Sequence, residues 1–370
     1  MTGVGFIHHL AGYGGIVLPT NLNIVFGGEC LKKYLTNKLM IIYLPLEDLE
    51  QRYTKMMNAT IKPYVDKYLY PKIKDSGKIE KGQFLDINKT CIFKSAQMQM
   101  VAEMFHKNKI KDGDVFLVAD IFYPGIEAIR YMADLQDIKI KIYGFNYAGR
   151  ADGTDFVQKL GDWADSSEVA YHQICDKVFV GSEDHRENIL DHFFLEDTDI
   201  VVTGLIWNLD YVKKIYKGGD KKEDFIIWPH RICKEKGFED LLKFARLTNK
   251  KIVITSCGNP VKVKLPKNIE YKYNLTKKEY YKIMSRAKYY LSTAYQETFG
   301  YTVQEAIAYR CEILAPYRAC YEEMLPDINV YLEIIEAIEL MESGKSLLVP
   351  MRYTEKWNNN IEKIMRIIKK

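Results

Sequence analysis

The chain has 370 residues, more than one hydrophobic core usually supports, so we expect two domains. Apolar residues make up 47% and charged residues 28%, which is typical of soluble globular proteins and unlike disordered or fibrous chains. The net charge of +4 permits an anionic partner without requiring one. No apolar run approaches the roughly 18–20 residues that span a bilayer, so no transmembrane segment is predicted.

The cysteine pattern and the N-terminal residues indicate the cellular compartment in which the protein is expected. The chain has seven cysteines, an odd number, and none of them forms a CxxC pair. This pattern favours reduced thiols in a cytosol over a disulfide framework. The N-terminal stretch "MTGVGFIHHLAGYGG" has no basic region followed by an apolar core, so no signal peptide is predicted. We therefore expect a cytoplasmic protein.

Short apolar runs rich in β-branched residues predict strands through the first half of the chain. These runs lie at residues 38–46, 114–120, 139–146, 177–182 and 199–204. Helical patterns such as "PGIEAIRYMADLQ" separate them. Continuous apolar strands that alternate with helices are typical of a parallel sheet covered on both faces.

The same alternation restarts after residues 207–224, a stretch in which apolar content drops and Lys, Asp and Gly accumulate. Strands are predicted in "DFIIWP", "KIVITSCG", "YYLSTA" and "CEILAP", with helices between them. We therefore predict an α/β protein with two doubly wound domains, at residues 1–206 and 207–350. In open parallel sheets ligands bind beyond the carboxyl ends of the strands, so the loops at those ends are the candidate sites.

Residues 351–370 predict a final amphipathic helix, which we expect to pack back on the first domain. Its apolar stripe consists of Trp357, Ile361, Ile364 and Ile368.

The stretch "PHRICKEKGFEDLL" places Arg231 and Lys236 in a loop between a predicted strand and a helix that begins after Gly237. Two cations beside the free N–H groups of a helix N-terminus suit a phosphate or diphosphate. The alternative is an ordinary solvated basic loop, because Lys and Arg are common in loops.

The stretch "QETFGYTVQEAIA" places Glu297 and Glu305 eight positions apart. Glu297 falls in the loop after a predicted strand, a helix is predicted to begin near Gly300, and Glu305 lies in its first two turns. Glycine at the helix start lets a ligand approach the backbone closely, and two carboxylates there suit sugar hydroxyls. The alternative is the general preference of helices for acidic residues near their N-termini.

The segment "ETFGYTVQEA" resembles the E-x7-E motif of GT-B glycosyltransferases of the retaining family 4 type, which reads roughly E-x-F-G-x-x-x-x-E-A. "HRICKEKG" resembles the arginine–lysine loop of that family. "NLD" at residues 208–210 resembles its N-G-V-D stretch, one residue shorter. The resemblance covers residues 175–320 and is poor before them. It implies the GT-B fold, in which two Rossmann-like domains face a cleft, with the second binding a nucleotide sugar and the first facing the acceptor.

The resemblance implies that Arg231 and Lys236 neutralise the donor diphosphate and are catalytic, assisted by the backbone N–H groups of Gly300 and Tyr301. The physical argument agrees, because cleavage of a sugar–phosphate bond builds negative charge on the leaving nucleoside diphosphate. Neither a metal ion nor a cofactor is then expected. The resemblance also implies that the anomeric configuration is retained.

The remaining donor-binding residues are also implied by the resemblance. Glu305 would hold the donor ribose, Glu297 would contact the donor sugar, and Phe299 belongs to the same donor-binding stretch. The glycine-rich loop that the family carries after its first strand is replaced here by "HHLAGYGGIVLPTN". In that loop, Gly15 is the candidate that would lie near the donor sugar.

The acceptor side departs from the family, and its candidates come from the strand-end loops of the first domain. Asp120 ends its strand and is a candidate to orient or deprotonate an acceptor hydroxyl, the alternative being a helix-capping aspartate. The next loop offers Asn146, Tyr147, Arg150 and Asp152, where family members often carry a histidine.

Several acceptors and functions fit this pattern. The chain has 27 tyrosines and frequent Lys, Ile and Asn, a composition that is typical of phage and some bacterial proteins. This suggests a hydroxymethylated base in double-stranded phage DNA as the acceptor. The first alternative is transfer to a surface polysaccharide, glycolipid or small molecule. The second is a non-catalytic nucleotide-sugar-binding module, because fold does not imply activity. The sequence leaves the oligomeric state open.

Overall fold

The structure is a computed structural model that describes residues 39–49, 52–73, 86–195, 199–256, 264–355, 357–358 and 360–370. Gly15 and its glycine-rich loop lie outside the described residues.

Within the described residues, the first sheet contains six parallel strands in the order β2-β1-β3-β4-β5-β6. Four of them, β1, β3, β4 and β5, are almost fully buried along their length, as expected for a sheet covered on both faces. The strands are β1 (Ile41–Leu44), β2 (Lys67–Tyr68), β3 (Val115–Val118), β4 (Lys141–Phe145), β5 (Lys177–Val180) and β6 (Ile200–Val202).

The second sheet also contains six parallel strands, in the order β12-β11-β10-β7-β8-β9. Its order places β10 directly beside β7, although the two strands are far apart in the sequence. The strands are β7 (Glu223–Trp228), β8 (Lys251–Ser256), β9 (Ile269–Tyr273), β10 (Ala287–Leu291), β11 (Glu312–Pro316) and β12 (Val330–Tyr331). The predicted α/β class with two Rossmann-like sheets is confirmed.

Helices connect the strands and cover the sheets. The helices are α1 (Thr54–Ile61), α2 (Ile87–His106), α3 (Ile126–Asp134), α4 (Trp163–Ile174), α5 (Glu183–Phe193), α6 (Leu209–Ile215), α7 (Phe238–Leu247), α8 (Lys277–Arg286), α9 (Tyr301–Ala308), α10 (Tyr321–Met324), α11 (Ile334–Glu342), α12 (Arg352–Glu355) and α13 (Asn360–Ile368). None of these helices is long and apolar enough to cross a membrane.

The C-terminal segment contacts the last strand of the first sheet and the residues that follow it. The side chain of Asn360 donates to the carbonyl of Leu205 at 2.6 Å, and Lys363 Nζ donates to the carbonyl of Val202 at 2.9 Å. The predicted apolar stripe of this segment is buried, with Trp357 packed edge-on against Phe299. Helix α13 therefore brings the end of the chain next to the stretch that joins the two sheets.

Candidate functional site

The two motif-bearing loops meet because their strands are neighbours in the second sheet. Residues 229–237 follow β7, and residues 292–300 follow β10, so both loops leave the carboxyl edge side by side. Hydrogen bonds join them: Thr293 Oγ1 donates to the Lys236 carbonyl at 2.9 Å, and Tyr295 N donates to the Glu235 carbonyl at 2.9 Å. Each loop ends where a helix begins, which directs two sets of free N–H groups to one place.

Gly237 makes this close approach possible. Its φ of +65° is in the left-handed region that favours glycine, and a Cβ there would lie 1.9 Å from the Thr293 carbonyl oxygen. Helix α7 starts at the next residue. The glycine of the arginine–lysine motif is therefore required by the contact between the two loops.

The predicted cations and the first glutamate form one charged cluster. Lys236 Nζ lies 2.6 Å from Glu235 Oε1, 3.2 Å from Glu297 Oε2 and 3.0 Å from the Gln296 carbonyl oxygen. Glu235 also receives a hydrogen bond from Arg231 Nη2 at 3.1 Å. One carboxylate thus holds both cations of the motif in place.

The protonation states in this cluster follow from burial and charge. Burial alone would lower the pKa of Lys236, but the carboxylates of Glu297 and Glu235 outweigh it and raise that pKa above its usual value. For His230, burial and the charges of Lys236 and Arg231 hold the pKa well below its usual range. Lys236 is therefore charged and His230 neutral at physiological pH.

Glu305 projects from the first two turns of α9 into a ring of donors. Tyr280 and Tyr281 donate their hydroxyls to its two oxygens at 2.7 and 2.8 Å, and Lys277 Nζ lies 3.3 Å away. The Glu305 side chain is only 7% exposed. A carboxylate with two oxygens accepts about four hydrogen bonds, so Glu305 retains capacity for a ligand donor.

A cavity of about 420 Å³ joins the motif residues to the first sheet's side of the molecule. We call it the larger cavity. Its charged lining consists of six cations and two carboxylates: Arg52, Lys55, Arg231, Lys236, Lys277, Lys278, Glu297 and Glu305. Tyr301 and Thr302, at the start of α9, also line it. A cavity with this charge balance suits a polyanion such as a diphosphate.

A second cavity, of about 140 Å³, lies beyond a pair of stacked aromatic rings. The rings of Tyr53 and Tyr301 are 4.7 Å apart and nearly parallel, and both residues line both cavities. This smaller cavity is further lined by Tyr147 and Asp152 of the first sheet's loops. The buried Phe299 also contributes to its wall.

Of the acceptor-side candidates, Tyr147 and Asp152 lie at this cavity and the others do not. Asn146 is fully buried against His172 Nε2, at 3.3 Å. Arg150 makes a two-pronged ion pair with Asp165, at 2.8 and 3.1 Å.

Asp120 also has partners of its own. One carboxylate oxygen lies 3.2 Å from Lys94 Nζ, and the other accepts the Phe122 N–H at 3.1 Å. Asp120 is not among the residues that line either cavity. In this structure its carboxylate therefore contacts groups of its own domain.

Sequence reasoning missed several side chains of the larger cavity, including Lys277 and Lys278. Tyr280 and Tyr281 hold Glu305 from α8, and Arg52 and Lys55 reach the cavity from the start of α1. The run "KKEYY" gave no clear signal, because aromatic residues about one turn from a helix start usually belong to the core. Nothing in the sequence around Arg52 distinguishes it from a surface residue.

Comparison with known proteins shows a likeness at the level of the fold. No family model and no curated protein sequence matches this chain. Among solved structures, it is similar to Anabaena Alr3699/HepE in complex with UDP and glucose, with TM-score 0.61, 10% identity and coverage of 90% of this chain and 100% of that one. It is also similar to the sucrose-phosphate synthase of Thermosynechococcus elongatus, with TM-score 0.56, 10% identity and coverage of 90% and 95%.

A third similar structure is the pneumococcal O-GlcNAc transferase GtfA in complex with UDP and GlcNAc, with TM-score 0.53 and 13% identity. That match covers 75% of this chain, which spans only 60% of GtfA. The GT-B arrangement expected from the motifs, with two Rossmann-like six-stranded sheets, is therefore confirmed as the fold of this chain.

Proposed function

We propose that this protein is a glycosyltransferase that moves a sugar from a nucleoside diphosphate sugar to an acceptor hydroxyl. The observation that carries the proposal is the convergence of Arg231, Lys236, Glu297 and Glu305 on one cavity at the N-termini of α7 and α9. The structures of HepE and GtfA that this chain is similar to contain UDP, which supports a uridine nucleotide as the first ligand to test.

In the proposed complex the diphosphate contacts Arg231 and Lys236 and the free N–H groups of Gly300 and Tyr301. Glu305 accepts hydrogen bonds from the ribose, and Glu297 from the transferred sugar. The reaction needs stabilisation of the negative charge that develops on the leaving diphosphate, and fixed cations supply it without a metal ion. Retention of the anomeric configuration is proposed from the E-x7-E resemblance.

For the acceptor, the observation of most use is that Arg52 and Lys55 add cations to the larger cavity from the first sheet's side. Such cations suit a phosphate, which a sugar phosphate and a DNA strand both carry. The sucrose-phosphate synthase likeness favours a phosphorylated sugar, and the composition of the chain favours hydroxymethylated DNA. Both acceptors, together with an unphosphorylated sugar, therefore belong in the test.

The test combines binding with turnover. Calorimetric titration with UDP should show saturable binding that Glu305→Gln weakens and Glu339→Gln, an exposed change on α11, leaves intact. Release of UDP from UDP-glucose and UDP-N-acetylglucosamine is then followed with glucose, glucose 6-phosphate or hydroxymethylcytosine-containing duplex DNA. Binding without release under all conditions would identify a non-catalytic binding module. Absence of nucleotide binding would refute the proposal.

A further inference from the structure

The smaller cavity brings a buried carboxylate close to the loop at residues 229–237, which carries Arg231 and Lys236. Asp152 lines this cavity together with Tyr147 and Asp155, which follow β4, while Arg231 and Lys236 line it from the second sheet. Only 2% of the Asp152 surface is exposed, although the residue faces a cavity. Arg231 and Lys236 are placed to stabilise the leaving diphosphate, and the carboxylate of Asp152 is placed near the incoming acceptor hydroxyl. We therefore expect the carboxylate to take part in proton transfer.

We propose that Asp152 is the catalytic base that takes the proton of the acceptor hydroxyl, an inference that rests on the proposed glycosyltransferase function. As the acceptor oxygen bonds to the anomeric carbon on the face from which the diphosphate leaves, so that the configuration is retained, its proton passes to a carboxylate oxygen of Asp152. The bond between the anomeric carbon and the diphosphate oxygen breaks, and its electron pair leaves with the nucleoside diphosphate. Arg231 and Lys236 stabilise that leaving group. The proton on Asp152 then passes to solvent.

The contacts of Asp152 hold it in place and leave it able to accept a proton. Its Oδ2 accepts the N–H of Gly149 at 3.1 Å, and Gln296 contacts it from the loop after β10. In the described part of the chain no lysine or arginine lies within salt-bridge distance of it, and His185 Nε2 is 3.9 Å away. Burial lowers the pKa of His185 to about 3, so this imidazole is neutral and leaves the charge of Asp152 uncompensated.

The surroundings of Asp152 also give its carboxyl a pKa that suits a general base near neutral pH. Burial raises the pKa of this carboxyl to about 7, with the Gly149 N–H opposing that rise in part. A base is most effective when its pKa lies near the working pH. The charged and titratable groups near Asp152 are Asp155 of its own loop, Glu168 of α4, and Asp184 and His185 of α5. Across the smaller cavity, the loops of the second sheet add Arg231, Glu235, Lys236 and Glu297.

Asp120, the other candidate base, has a different setting. Lys94 and the Phe122 N–H occupy its two oxygens, and it lines neither cavity. Both oxygens of its carboxylate thus already have partners in the first sheet's part of the chain. The geometry therefore favours Asp152 over Asp120.

The test compares Asp152→Asn with Asp120→Asn, using the exposed Asp134→Asn of α3 as the control. We measure UDP release from UDP-glucose and UDP-N-acetylglucosamine, with and without the acceptors named above, between pH 5.5 and 9. The wild type should show kcat rising with pH to about 7 and levelling above it. Asp152→Asn should lower kcat by about a hundredfold or more and abolish that rise. Its UDP affinity should stay within about twofold of wild type.

The outcomes separate this inference from the proposed function. If the wild type releases UDP and Asp152→Asn does so at an equal rate, Asp152 is not the base although the enzyme is a transferase. Loss of the pH-dependent step in Asp120→Asn alone would assign the role to Asp120 instead. If Asp152→Asn fails to fold, a wild-type kcat that is flat between pH 6 and 8.5 still overturns the proposal. No turnover by the wild type would refute both.

Discussion

In the loops of the second sheet, Arg231 and Lys236 each contact a carboxylate. In contrast, Asp152 in the loop after β4 and Glu168 on α4 are buried, and no lysine or arginine side chain among the described residues lies within salt-bridge distance of either carboxylate. The first arrangement keeps Lys236 charged, and the second raises the pKa of each of its two carboxyls to about 7. The loops of the second sheet therefore carry a fixed positive charge, whereas the carboxyls of Asp152 and Glu168 can bind a proton near neutral pH. This difference matches the separate needs of a leaving diphosphate and an incoming hydroxyl.

The largest expected effect comes from removing the fixed charge. Lys236→Met should lower the turnover of the preferred nucleotide sugar by about 10²–10³, the usual cost of one preorganised electrostatic partner. It should also destabilise the fold, because Glu235 and Glu297 lose the ammonium group between them. UDP release and thermal unfolding measure the two effects.

The control for that change is Lys243→Met, which removes an exposed lysine of α7 that pairs with Asp240 at 2.8 Å. An exposed pair contributes little, so neither turnover nor melting temperature should change appreciably. Equal effects of the two substitutions would contradict the assignment of a fixed charge to Lys236.

The second prediction concerns the contact that brings the two charged loops together. Gly237→Ala should destabilise the protein by about 3 kcal/mol, because left-handed backbone strain adds to a collision with the Thr293 carbonyl. Gly344→Ala is the matched control: its φ is +70°, but its Cβ would meet nothing within 4 Å. It should cost only the strain, about 1 kcal/mol. Denaturant unfolding of both variants tests the difference, and equal losses would show that the loop contact is unimportant.

The third prediction concerns the proton-binding side. Burial raises the pKa of Glu168 to about 7, with the N–H of Arg150 opposing the rise. Between about pH 4.5 and 7 the folded state therefore keeps a proton that the unfolded chain releases, and stability falls as the pH rises. Glu168→Gln removes this pH dependence. The free energy of unfolding of the variant, relative to that of the wild type, should therefore rise by up to about 3 kcal/mol between pH 5 and pH 8.

Denaturant unfolding at pH 5 and pH 8 measures this change, with the exposed Glu187→Gln of α5 as the control. The control should change the free energy of unfolding by the same amount at both pH values. If Glu168→Gln also does so, Glu168 is ionised in the folded state and the contrast between the two sides of the site fails.

The sequence was most informative where spacing along the chain determines the contact. Arg231, Lys236, Glu297 and Glu305 lie on loops and first helical turns that directly follow apolar strands, so strand order alone brings them together. Edge strands were harder to predict. Strand β9, Ile269–Tyr273, is only partly buried, and its residues show no continuous apolar run.

The acceptor side shows why the remaining features could not be predicted. The burial of Asp152 depends on α4 and α5 and on Gln296, which is far away in the sequence. The same holds for Asp120, whose partner Lys94 is buried on α2. Sequence spacing does not show which carboxylate meets a cation, because that depends on tertiary packing.

The smallest expected effect concerns the ring of donors around Glu305. Glu305→Gln should weaken UDP binding by about 1.5–3 kcal/mol, because a charge-assisted contact to the ribose is lost. Tyr281→Phe removes one donor but leaves the carboxylate, so its effect on UDP affinity should be smaller and its role mainly to orient Glu305. Calorimetric titration with UDP ranks the two variants. A larger loss in Tyr281→Phe would mean that the tyrosine hydroxyl itself contacts the nucleotide, and that the charged side of the site extends into α8.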